Sequence, residues 1–490
     1  MSAATGLAKL LYDGAALDLS AIAVHYDGHS VSYQELIERI EACGGALQRQ
    51  LPAAGSRVAI CAANSLDHLV AYLATLVAGH VWVPLNPANG RALNSVISAK
   101  ARPDLVLVGE ESMSAAPDGT RRLEIGELGA SPGAFLMHAA APDEIAAIKF
   151  TGGTSGEPKG VIQTHANMLA VIENLQAFYE FAETDCNLAV APLTHGSSHY
   201  LFPVLAAGAR HRLMQTRSTA SILSAMREDT SIVFMPPTLI YKLLRESGLS
   251  PEQFPALRHL TYSAAPMPAA RIADALDAFG PCISALYGLT EAPVTICALG
   301  PEEMQDPDLR GTAGRPCVKS EVRIVDDAGQ TVAPGTLGHV EARGPIVMRG
   351  YLDEPALTEA AFHDGWLRTG DLGSLDNGGY LTLAGRAGEV IISGGFNVYP
   401  AEVENVLAKL PGIRECCVFA VEDEYWGERI DAAIVIEPGA SFTEADIREF
   451  VRQELGSVRT PKAVHFLTAL PRNAVGKIVR REMSTLVRTG

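Results

Sequence analysis

The stretch Thr151-Gly152-Gly153-Thr154-Ser155-Gly156-Glu157-Pro158-Lys159-Gly160 concentrates groups that can hold phosphate. Its glycines let the backbone turn tightly and present N–H groups without Cβ interference. Thr151, Thr154 and Ser155 add hydroxyl donors, and Lys159 adds a positive charge. Together they can form a cradle for phosphate oxygens. The stretch is not the usual P-loop, which needs Gly-Lys-Ser/Thr, because Lys159 sits between Pro158 and Gly160. Nor is it the Gly-x-Gly-x-x-Gly dinucleotide pattern. Taken alone it is equally readable as a plain surface loop.

The flanking sequence sets its position. An apolar run from Ile145 to Phe150 reads as a buried strand, and a helix is predicted from about His165 to Phe178. Further back, Ser32-Tyr33-Gln34-Glu35 has the pattern of a capping box. It opens a helix with Leu36, Ile40, Cys43 and Leu47 on one apolar face. Arg57–Ala62, Asp67–Ala78 and Val81–Leu85 read as strand, helix and strand, with a break at Pro87. That order implies a parallel sheet with helices on its faces. Asp104–Val108 is a further strand, and residues 111–142 read as loops and weak elements.

Beyond the glycine-rich stretch the alternation resumes. Strands are predicted at Cys186–Val190, Ser231–Met235, Leu260–Tyr262 and Cys282–Leu286, with helices at Leu239–Ser247 and Ala269–Phe279. Ligands of α/β sheets sit where strands end and loops begin. The glycine-rich stretch, the His195 segment, the turn Ser263-Ala264-Ala265-Pro266 and Tyr287-Gly288 all follow strands, so they are expected to converge on one crevice. From about Gly311 short β patterns dominate, up to Gly385, and an α+β unit follows from Pro400. The fold class is therefore α/β. A large N-terminal domain of layered sheets and helices, with a small β-rich subdomain, is expected over 1–386. A small mobile α+β domain is expected over 387–490.

With 490 residues the chain can bury a large multilayer core, and 48% hydrophobic against 19% charged residues argues against disorder. A net charge of −17 argues against nonspecific binding to nucleic acid or anionic membrane. It leaves nucleotide binding open, because a local cationic cluster can override it. The eight cysteines have neither Cys-x-x-Cys nor zinc spacing and read as reduced thiols. No signal segment or membrane span is read, so the cytoplasm is the expected compartment.

Five motifs recur in order: the glycine-rich stretch, Tyr287-Gly288-Leu289-Thr290-Glu291, Thr369-Gly370-Asp371, Gly385-Arg386 with Gly394-Gly395-Phe396-Asn397, and Pro471-Arg472-Asn473-Ala474-Val475-Gly476-Lys477. Their sequence and order resemble the adenylate-forming superfamily of acyl-CoA synthetases, stand-alone adenylation domains and luciferases. The resemblance covers essentially the whole chain.

It implies ATP-dependent activation of a carboxylic acid to an acyl-adenylate, then transfer to the thiol of coenzyme A. By this resemblance Thr151, Gly152, Gly153, Thr154, Ser155, Gly156 and Lys159 hold the β- and γ-phosphates. Thr290 touches the α-phosphate and Glu291 ligates Mg²⁺. Asp371 binds the ribose hydroxyls, and Arg386 contacts ribose or phosphate near the domain joint. Ser263, Ala264, Ala265 and Pro266 flank adenine and the acyl group, and Tyr287 and Gly288 lie beside adenine. Lys477 bridges the substrate carboxylate and ATP oxygens, and His195 borders the acyl carboxylate. Gly394, Gly395 and Phe396 line the pantetheine tunnel after the C-terminal domain has moved.

Each residue also has a plainer reading: a solvated charge for Glu291 and Lys477, a turn residue for Asp371, a satisfied half-buried histidine for His195. Gly152 stands where many relatives carry Ser, and Ser155 where they carry Thr. Gly388 occupies the usual hinge position, two residues after Arg386. The window Thr194–His199 holds no acid to bind an α-ammonium, which disfavours amino acids. His195, Ser198, Met235, Ser263, Ala264 and Gly288 suggest a pocket for an aryl or short-to-medium aliphatic acid. A carrier protein in trans, a homodimer and a non-catalytic ATP-binding scaffold stay open.

Overall fold

The computed structural model describes residues 6–128, 134–151, 157–214, 218–473 and 477–489. The helix Tyr33–Gln50 shows how the sequence builds these elements. Ser32 Oγ accepts from the Glu35 N–H, and the Glu35 carboxylate accepts from the Ser32 N–H, closing the capping box. Leu36, Ile40, Cys43 and Leu47 then face inward together. The Tyr33 hydroxyl reaches the carbonyls of Leu205 and Ala209, pinning this helix to a segment far along the chain.

Among the described residues two large sheets carry the N-terminal part. One has seven strands, in the order Gly350–Tyr351, Lys159–Thr164, Ile145–Thr151, Val81–Leu85, Arg57–Cys61, Leu105–Val108 and Arg122–Glu124. Its central strands are parallel, as the strand–helix–strand order predicts. The other has nine strands. Within it Cys186–Ala189, Ile232–Met235, His259–Tyr262 and Ile283–Tyr287 run parallel and side by side. Their C-terminal ends therefore open on one edge, where the His195 segment, the turn at Ser263 and the Tyr287-Gly288 segment emerge. A third, antiparallel sheet holds Glu321–Val325, Gly338–Arg343, Trp366–Leu375 and Leu381–Arg386. Among the described residues the strands from Ile391 onward pair only with one another, in a sheet built on the long hairpin Ile413–Asp423 and Gly427–Ile436. No helix among the described residues is long and apolar enough to cross a membrane.

Several elements differ from the sequence reading. The glycine-rich stretch does not pass directly into the helix His165–Tyr179. A strand, Lys159–Thr164, intervenes and pairs antiparallel with Ile145–Thr151. Its six residues are too short to declare a period against the adjoining helix. Thr369-Gly370-Asp371 lies inside the strand Trp366–Leu375, where glycine and polar residues hide the β pattern. A helix, Gly90–Ala101, follows the break at Pro87, although only Asn94, Ile97, Ser98 and Ala101 of it are buried. Pro237 opens the helix Pro237–Leu243, two residues earlier than expected, because proline fits the first turn.

Ser32→Ala should cost about 1 kcal/mol through the lost cap, and Leu36→Ala about 2–5 kcal/mol through the lost core contact. Thermal or urea unfolding checks both, and equal effects would show that the cap holds this helix as firmly as the apolar face does.

Candidate active site

Asp371 is the centre of the first cluster. It lies directly across from Arg386 on the neighbouring strand, and the Arg386 Nε is 2.9 Å from its carboxylate. Arg386 also donates to the Thr369 carbonyl at 3.0 Å. From the nine-stranded sheet, the Tyr287 hydroxyl donates to Asp371 at 2.5 Å. Burial pushes the Asp371 carboxyl up, and Arg386, Tyr287 and Lys477 act against that rise. Burial, then the Asp371 charge, drives the Tyr287 phenol well above its ordinary value. Tyr287 therefore stays a neutral donor.

Lys477 belongs to the same electrostatic neighbourhood. Lys477 is exposed at the surface, yet surrounding protein and then Arg386 push its ammonium down, while Glu389 and Asp371 pull the other way. The Lys477 N–H donates to the Asn473 side chain at 2.9 Å. Ala474, Val475 and Gly476 lie outside the described residues. Two further C-terminal cations are engaged: Arg472 pairs with Glu415, and Arg480 pairs with Glu389 and Glu404.

A second chain of contacts runs through Glu291. Its carboxylate accepts from the Tyr351 hydroxyl at 2.8 Å, and its carbonyl accepts from the Met348 N–H at 2.7 Å. The Thr290 carbonyl accepts from Gln163 at 3.0 Å. Lys159 Nζ sits 5.8 Å from the centroid of the Tyr351 ring. Thr151 and Lys159 face each other across two paired strands, so the glycine-rich stretch is the connection of a hairpin. Gly152, Gly153, Thr154, Ser155 and Gly156 themselves lie outside the described residues.

The turn after His259–Tyr262 brings Ser263, Ala264, Ala265 and Pro266 to the same edge as Tyr287. Ala264 has φ +71°, a left-handed backbone that a residue with a Cβ seldom adopts. At Gly288 an added Cβ would lie 2.3 Å from the Val294 backbone nitrogen, so the Tyr287 segment closes on itself too tightly for a side chain. Gly394, Gly395 and Phe396 are not drawn into these clusters. They form a hairpin turn in the C-terminal sheet, with Gly394 donating to the Trp426 carbonyl at 2.8 Å and Phe396 exposed.

His195 is half-buried at the start of the turn Gly196–Tyr200, and its Nδ1 lies 2.9 Å from Thr194 Oγ1. Burial and then the charge of Lys149 lower its imidazole to about 4. Lys149 was absent from the sequence reading. It lies on Ile145–Thr151, a run whose apolar character hides one cation, and its ammonium reaches His199 Nε2 at 2.9 Å and Ser198 Oγ at 3.3 Å. The readable signal was a lone lysine inside a predicted buried strand.

The geometry matches a known group of proteins. The sequence pattern of AMP-binding enzymes matches residues 13–352, and that of the AMP-binding enzyme C-terminal domain matches residues 402–477. The chain belongs to the AMP-binding enzyme family. A feruloyl-CoA synthase of an Amycolatopsis species is 31% identical over 470 residues, 94% of this chain and 95% of that protein. The medium/long-chain-fatty-acid–CoA ligase FadD8 of Mycobacterium tuberculosis is 33% identical over 345 residues, which span 69% of this chain and 60% of that protein's length. The solved structure of o-succinylbenzoate CoA synthetase from Bacillus subtilis, in complex with an acyl-adenylate intermediate, aligns with a TM-score of 0.87 at 28% identity over 97% of each chain.

Gly288→Ala should destabilise the protein by about 1–3 kcal/mol, because the new methyl group must displace Val294. A thermal unfolding midpoint equal to that of the parent would show that the Val294 segment yields freely.

Proposed function

We propose that this chain activates a carboxylic acid with ATP and transfers the acyl group to coenzyme A. The observation that supports this most is the convergence of Tyr287, Asp371, Arg386 and Lys477 at one edge of the parallel strands, beside the Glu291–Tyr351–Lys159 chain. A carboxylate oxygen of the acid attacks the α-phosphorus, and the bond to pyrophosphate breaks. The thiol sulfur then attacks the acyl carbon, and the bond to AMP breaks. The acid is its own nucleophile, so the protein must position the reactants and neutralise charge.

In this reading Asp371 accepts from the ribose hydroxyls, held in place by Arg386 and Tyr287. Thr151 through Lys159 gather the outer phosphates, Thr290 meets the α-phosphate, and Lys477 spans acid and nucleotide. Ser263, Ala264, Ala265, Pro266, Tyr287 and Gly288 border adenine and the acyl group. Burial keeps His195 neutral at pH 7, so it can border the acyl carboxylate without forming an ion pair. Mg²⁺ fits Glu291, whose carboxylate accepts one hydrogen bond and keeps further lone pairs. Among the described residues no group of three or more His, Cys, Asp or Glu side chains could hold an ion. The remaining oxygen ligands of Mg²⁺ would come from ATP and water, and the ion would neutralise phosphate charge.

The second half-reaction requires Gly394, Gly395 and Phe396 to reach the crevice, so the C-terminal part must rotate. We place the joint after Arg386, dividing the chain into 1–386 and 387–490. Gly388 has an ordinary backbone here, and a Cβ on it would meet nothing within 4 Å. This pose does not need glycine; the proposed rotation makes use of it. The acyl group is an aryl or short-to-medium aliphatic one.

Pyrophosphate release with ATP, Mg²⁺ and a panel of carboxylic acids, with and without CoA, tests the proposal. Acid-dependent release that quickens with CoA is expected, and Lys477→Ala should slow it by about 100-fold or more. Release indifferent to CoA would move the acceptor to a carrier protein. No release with any acid would overturn the activation reading in favour of a nucleotide-binding scaffold.

A further inference from the structure

Lys149 is a buried cation that no carboxylate among the described residues neutralises. It is 6% exposed, and its Nζ donates to Ser198 Oγ and meets His199 Nε2. On its other side the Trp82 ring centroid lies 5.0 Å away. The indole N–H of Trp82 is itself buried without a hydrogen-bond partner. Among the described residues the titratable groups facing Lys149 are His195 and His199, and burial keeps both neutral near pH 7. Among the described residues no Asp or Glu lies within ion-pair distance of it. A buried charge is costly unless it is paired and hydrogen-bonded, and unpaired ones cluster at functional sites.

Its position indicates what it serves. Lys149 shares a strand face with Thr151, two residues on, where the glycine-rich connection begins. From there it reaches across to the turn that carries His195. Lys149 donates to Ser198 Oγ, and Ser198 Oγ donates to the His195 carbonyl at 2.7 Å. One ammonium therefore ties the phosphate-side strand of one sheet to the acyl-side turn of the other.

We propose that Lys149 is a positioning residue for the acid substrate, bracing the His195 turn and presenting behind it a fixed positive charge that draws the acid in as its carboxylate anion. This rests on the acid-activation reading. It assigns the acid-binding step a second cation, distinct from Lys477 and held on the N-terminal side whatever the position of the C-terminal part.

Burial lowers the Lys149 ammonium to about 7 from an ordinary 10.5. Below about 7 the charge is present, and above it the charge is lost. The KM for the acid should therefore rise as pH passes upward through about 7, while the KM for ATP does not follow. Lys149→Met at pH 6.5 should raise the acid KM about tenfold, with kcat within about threefold and ATP still raising the melting temperature, and should abolish the pH-dependent rise. An acid KM that is flat from pH 6 to 9 in the parent, or unchanged in Lys149→Met, overturns the proposal.

A measurement without substrate separates this from failure of the activation reading. The unfolded chain keeps the lysine proton up to about pH 10.5 and the folded chain only to about 7. The unfolded state therefore binds more protons in that window, and stability should rise with pH across it. The parent should show this rise relative to Lys149→Met in thermal unfolding between pH 6 and 10. A pH-independent difference between the two proteins overturns the proposal whether or not any acid is activated.

Discussion

The arrangement depends on keeping the Asp371 carboxylate out of water. Such a group is tolerated only when charge and hydrogen bonds meet it from several sides. Here Arg386 meets it from the adjacent strand and Tyr287 from the nine-stranded sheet, while Thr369 Oγ1 accepts from its backbone N–H at 3.1 Å. Thr369 Oγ1 also donates to the Val340 carbonyl at 2.7 Å, fixing the strand on its other side. If either sheet shifted, the buried carboxylate would lose a partner. The electrostatic cost of Asp371 thus fixes how the third sheet docks on the parallel one.

Backbone conformation supplies the room that this docking needs. Gly370 and Gly385 flank the pair at φ +77° and +130°, values a side chain would resist. A Cβ on Gly370 would come within 3.4 Å of the Arg386 guanidinium. Ala264, which does carry a Cβ, accepts a left-handed backbone in the turn after His259–Tyr262. Strain of this kind persists where surrounding structure over-determines it. The turn follows a strand locked in parallel register with Ile283–Tyr287, so its position is not free to relax.

Charge is distributed unevenly for the same reason. The chain carries a net −17, yet Lys149 and Lys159 from one hairpin, Arg386 from the third sheet and Lys477 from the C-terminal part come to the edge of the two large sheets or beneath it. Arg472 and Arg480 are held by carboxylates of the C-terminal part. Local cationic potential in a cleft can attract an anionic ligand against an unfavourable total charge.

Much was legible along the chain. Ser32 and Glu35 mark a helix start because capping is a contact within one turn. The alternation of apolar strands and amphipathic helices marks a parallel sheet because short crossovers allow little else. The order of the glycine-rich stretch, Tyr287–Glu291, Thr369–Asp371 and Lys477 was enough to name the family. Local pattern was not enough for the strand Lys159–Thr164, which declares itself only by pairing with Ile145–Thr151. It was also not enough for Lys149, whose neighbours Ser198 and His199 lie some fifty positions on. Sequence by itself determined the elements and the residue types available for chemistry, since propensity, capping and periodicity act over a few residues. Tertiary structure alone decided which charges face one another, because burial and ion pairing depend on distance in space, which the chain sets only once its sheets are packed.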